Sequence, residues 1–123
     1  TVDRLREQGM AAGMLRIRYL RPFASRDLAL TLAHTRAVGV LEKDVSFGAE
    51  GTVFTNVNSA LFQQDAHVPT CNFIGGLGGA DITTDQVAGA FKTLTFAAGG
   101  AAESVQFLGI NSMADTFGSK KGR

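Results

Sequence analysis

Along this chain the apolar residues keep changing period, from the three-to-four spacing of helices to short unbroken runs, and that alternation limits the folds open to it. Val2, Leu5 and Met10 predict a helix over Asp3–Ala12 with Arg4, Arg6 and Glu7 outward, stopped by Gly13. Met14–Leu20 reads as a strand closed by Pro22, which cannot continue a ladder. Ser25 is placed to cap a helix running through His34, with Leu28 and Leu32 on one face. Ala37–Leu41 is a continuously apolar strand of the kind covered on both sides. Phe54, Val57, Ala60 and Leu61 mark the next helix, and Thr70–Ile74 the next strand. A glycine-rich turn, Gly75-Gly76-Leu77-Gly78-Gly79, leads to Thr83 and Gln86, which have the spacing of a capping box. Val87, Phe91 and Leu94 carry that last helix, and Val105–Ile110 suits either a final strand or a docked arm.

The predicted order is α-β-α-β-α-β-α. Strands alternating with helices imply an α/β fold, a three-layer α/β/α sandwich with a mainly parallel sheet. At 123 residues the chain fits a single domain with one principal core. We expect a domain over residues 1–98 and an arm or tail over 99–123. In the first predicted strand Leu15, Ile17 and Tyr19 alternate with Arg16 and Arg18. Either it is an edge strand whose arginines face water, or the arginines meet acidic groups on another domain.

Composition excludes several classes. Apolar residues make up 45% and charged residues 19%, a globular balance. A net charge of +1 gives no field that would favour nucleic acid or an anionic membrane. No apolar run approaches the roughly 20 residues of a membrane span, and no secretory leader pattern is visible. Cys71 is the single cysteine, so no internal disulfide is available, and a reducing cytoplasm is the expected home. The basic end Lys120-Lys121-Gly122-Arg123 reads as a solvated terminus.

Familiar site motifs are missing. The dinucleotide fingerprint fails, because counting from Gly76-Leu77-Gly78 its sixth position is Asp81. There is no phosphate-binding G-x-x-x-x-G-K-[ST] and no G-x-S-x-G elbow. His34 and His67 lack companions at metal-ligand spacing, and Cys71 reads as a small core residue. What remains is a rim where the carboxyl ends of the strands converge, the usual place for ligands and partners in open α/β sheets. It comprises Arg21 and Phe23, then Glu42, Asp44, Ser46, Phe47, Gly48 and Gly51, then Gly76, Gly78, Gly79 and Asp81. Gly48 and Gly51 either flank a helix start able to hold an anion or make tight turns that admit close packing. Glu42 and Asp44 suit an acid–base pair, or partners for arginines and helix caps.

Four stretches together resemble one family: Leu5–Gly9, Leu15–Phe23, Leu41–Gly51 and Gly76–Thr83. In this order they are similar to the second, transketolase C-terminal-like domain of the α chain of pyruvate-type 2-oxoacid:ferredoxin oxidoreductases, over about Leu5 to Phe96. The resemblance implies an enzyme that decarboxylates a 2-oxoacid with thiamine diphosphate and Mg2+. It further implies electron transfer through iron–sulfur clusters to ferredoxin, and acyl transfer to coenzyme A. The family holds those cofactors in other domains, and one cysteine cannot supply the roughly four thiolates a cluster needs. A non-catalytic role at a domain or subunit interface is therefore expected, with a regulatory or coenzyme A/phosphate-binding module as the alternative. The expected partners are the other domains and subunits of the enzyme, with no nucleic acid or membrane, and homo-oligomerisation stays open. The family more often has arginine where Ala80 stands, and it places a further strand ahead of the helix that opens here at Thr1. An excised domain lacking that strand is the expectation, with self-association through the exposed edge as its hazard.

Overall fold

Among the described residues the sheet centres on Thr70–Ile74, the strand flanked on both sides. The computed structural model describes residues 1–46, 49–100 and 105–109. In chain order the elements are α1 (Val2–Glu7), α2 (Ser25–Leu32), β1 (Val38–Glu42), α3 (Thr52–Gln63), β2 (Thr70–Ile74), a 3-10 turn (Leu77–Gly79), α4 (Thr84–Ala97) and β3 (Val105–Phe107). The strands lie β1-β2-β3, all parallel, with Val40 opposite Asn72 and Phe73 opposite Gln106. The run beginning at Val105 is thus a strand of the sheet.

Strand alternation divides the interior in two. Val38 and Val40 face α3 and meet Phe54, Val57, Ala60 and Leu61, with Leu28 and Ala29 of α2 behind them. Cys71 and Phe73 face the other way and meet Ala90, Leu94 and Ala97 of α4. Helices therefore cover both faces, giving the α/β/α sandwich. At Gly39 a Cβ would press on the Phe73 ring and on Leu94, so its lack of a side chain lets α4 approach the sheet.

Helix ends follow recognisable chemistry. Thr83 caps α4 by accepting from the Gln86 N–H at 3.1 Å, while the Gln86 side chain accepts from the Thr83 N–H at 2.9 Å, so the capping box is formed as its spacing predicts. Helix α1 is shorter than its apolar pattern suggests. Gly9, at φ 87°, ends it four residues before Gly13 by turning left-handed; Met10 N–H reaches the Leu5 carbonyl and Gly9 N–H the Arg6 carbonyl, both at 3.0 Å. Ser25 does not cap α2. It is the first helical residue, Ala24 occupies the cap position, and no side-chain cap bond forms.

The strand expected over Met14–Leu20 is absent. Residues 10–19 have no regular structure and belong to no sheet, and Leu15–Tyr19 share a cleft with Asp27, Leu28 and Thr31 of α2. A strand exists only through its ladder. Here Ile17 packs against the α2–α3 core while Arg16 and Arg18 stay exposed, which satisfies the alternation without a neighbouring strand.

Candidate functional site

Glu42, the last residue of β1, places its side chain at the start of α3. The Glu42 carboxylate accepts from the Val53 N–H at 3.0 Å and the Phe54 N–H at 2.9 Å. These are donors of the first turn that have no intrahelical acceptor, and the negative charge sits at the positive end of the helix dipole. Asn72, fully buried in β2, fixes that carboxylate. Its Nδ2 donates to Glu42 Oε2 at 3.0 Å and to the Val40 carbonyl at 3.2 Å, and its Oδ1 accepts from the Gly51 N–H at 2.7 Å. Gly51 leaves room for this arrangement, since a Cβ there would overlap the Glu42 carboxyl group.

The other rim residues extend the same turn. Asp44 accepts from the Thr52 hydroxyl. Ser46 N–H donates to the Glu50 carbonyl at 2.9 Å, and the Glu50 carboxylate accepts from Thr55 Oγ1 at 2.7 Å. Phe47 and Gly48 lie outside the described residues. Beyond β2, Gly76, Gly78 and Gly79 take φ of 74°, 65° and 79°, left-handed conformations that favour glycine. The Lys43 side chain lies over Gly76, joining the two turns. Asp81 is exposed in the loop before α4. Arg21 and Phe23 sit on the segment leading into α2 rather than at a strand end; Arg21 Nη1 donates to the Leu20 carbonyl at 2.6 Å, and Phe23 packs on the α2–α3 core.

The chemistry of this rim is that of a brace. Glu42 has both oxygens engaged by helix N–H groups, and Asp44 accepts from the hydroxyl of Thr52, the first residue of α3. Burial raises the pKa of the Cys71 thiol, the opposite of what a reactive cysteine needs. Among the described residues no three His, Cys, Asp or Glu side chains converge as metal ligands, and the lone buried thiol does not fit an iron–sulfur cluster. No helix of the described residues is long and apolar enough to cross a membrane. Asn72 escaped the sequence reading, although a polar residue within the apolar run Thr70–Ile74 was a visible signal.

Residues 1–87 match the family described as pyruvate:ferredoxin oxidoreductase core domain II. The chain belongs to that family. Like the four ordered motifs, curated relatives point the same way. The chain is 37% identical over 86 residues to ketoisovalerate oxidoreductase subunit VorA of Pyrococcus furiosus, covering 70% of this chain and 22% of that one. It is 40% identical over 91 residues to pyruvate synthase subunit PorA of Thermotoga maritima, covering 74% and 23%. With pyruvate synthase subunit PorA of Methanosarcina barkeri it shares 35% identity over 88 residues, covering 71% and 22%. It thus spans about a fifth of the length of these relatives. The matched region carries the whole Glu42–Gly51–Asn72 brace.

Proposed function

We propose that this core domain II acts as a non-catalytic structural and subunit-interface part of the α chain of a thiamine-diphosphate-dependent 2-oxoacid:ferredoxin oxidoreductase. The observation that carries this reading is the commitment to the fold of the two acids at the end of β1: Glu42 caps α3, and Asp44 bonds Thr52. A site able to decarboxylate a 2-oxoacid needs acid–base groups that face the substrate. Thiamine diphosphate, Mg2+, iron–sulfur clusters and coenzyme A belong, on this reading, to other parts of the complete enzyme, which works in the cytoplasm. The relatives include both pyruvate synthase and ketoisovalerate oxidoreductase subunits. Pyruvate is the oxoacid we propose, with branched-chain oxoacids second.

The regulatory or coenzyme A-binding alternative loses its best location. An anion at the start of α3 would have to displace Glu42 from the N–H groups it already holds. The test is direct. The purified chain, supplied with pyruvate, thiamine diphosphate, Mg2+ and an electron acceptor, should show no turnover, whereas the assembled enzyme should turn over and lose assembly when this domain is deleted. Decarboxylation by the chain alone would overturn the proposal.

A further inference from the structure

We draw no further inference here: the strongest candidate, the edge of β1 that is open among the described residues and carries the exposed Leu41, is an unpartnered face, and nothing in the structure shows what covers it.

Discussion

Asn72, in the middle of β2, donates its side-chain amide at 3.0 Å to the carboxylate of Glu42 at the carboxyl end of the neighbouring strand β1. Through Gly51 N–H on one side and Val53 and Phe54 N–H on the other, this pair binds β1, β2 and α3 into one unit. A fully buried asparagine is tolerable only when its amide is satisfied, and no buried polar side-chain atom among the described residues lacks a partner.

Removing the carboxylate should therefore cost more than an ordinary cap. Glu42→Ala takes away the acceptor of two helix N–H groups and one partner of Asn72. We expect stability to fall by about 2–3 kcal/mol, against about 1 kcal/mol for Glu42→Gln, which keeps one acceptor oxygen. Urea denaturation followed by circular dichroism measures both; equal stability of Glu42→Ala and the parent would dismiss the brace.

Gly51 and Glu42 should be strongly coupled. Gly51 has an ordinary φ of −72°, so its requirement is space rather than backbone freedom. Gly51→Ala must push the Glu42 carboxyl aside and should lose about 1–3 kcal/mol. In the Glu42→Ala background the same change should cost much less, because the obstructing group is gone. A double-mutant cycle with additive losses would contradict the close approach.

Local chemistry was legible and remote chemistry was not. Thr70–Ile74 announces a buried strand and is covered on both faces, and Thr83 with Gln86 announces a helix start through two neighbours. The equally apolar run Ala37–Leu41 also forms a strand, but only Val38 and Val40 are buried and Leu41 is 46% exposed, so the cover expected on its second face is incomplete. Phe54, Val57, Ala60 and Leu61, chosen on spacing, are all buried. The alternation in Met14–Leu20 predicts a strand but says nothing of which neighbour it meets; in the structure no ladder forms and only Ile17 packs inward, against the α2–α3 core. The rim's role depended on contacts across long loops. Glu42 looks like a candidate acid until Asn72 and the α3 N–H groups are brought to it. For α1, both Gly9 and Gly13 could end the helix, and the apolar pattern alone favoured the later one.

Asp65 offers a stabilising change. It terminates α3 at φ 53°, with its own N–H reaching the Phe62 carbonyl at 3.1 Å and the next, Ala66, reaching Leu61 at 2.9 Å. That left-handed position strains an L-residue and favours glycine. Asp65→Gly loses a hydrogen bond to His67 in which both side chains are exposed, which counts for little. The variant should gain about 0.5 kcal/mol after the added freedom of the unfolded chain is set against it. Thermal unfolding should show a midpoint above the parent's.

Cys71 should make the fold sensitive to alkaline pH. Burial in β2 raises its thiol pKa, so the folded chain holds that proton more tightly than the unfolded one. The resulting stability is fully present below the unfolded thiol value of about 8.5 and is lost as pH rises through the higher folded value. Between about pH 8 and about pH 10, from just below the unfolded thiol value upward, the parent should lose more stability than Cys71→Ala, although the variant starts lower because a small buried side chain is gone. The same burial predicts that a thiol reagent labels the native chain far more slowly than the urea-unfolded one. Equal pH slopes for parent and variant, together with rapid native labelling, would mean that Cys71 is not sealed between the sheet and α4.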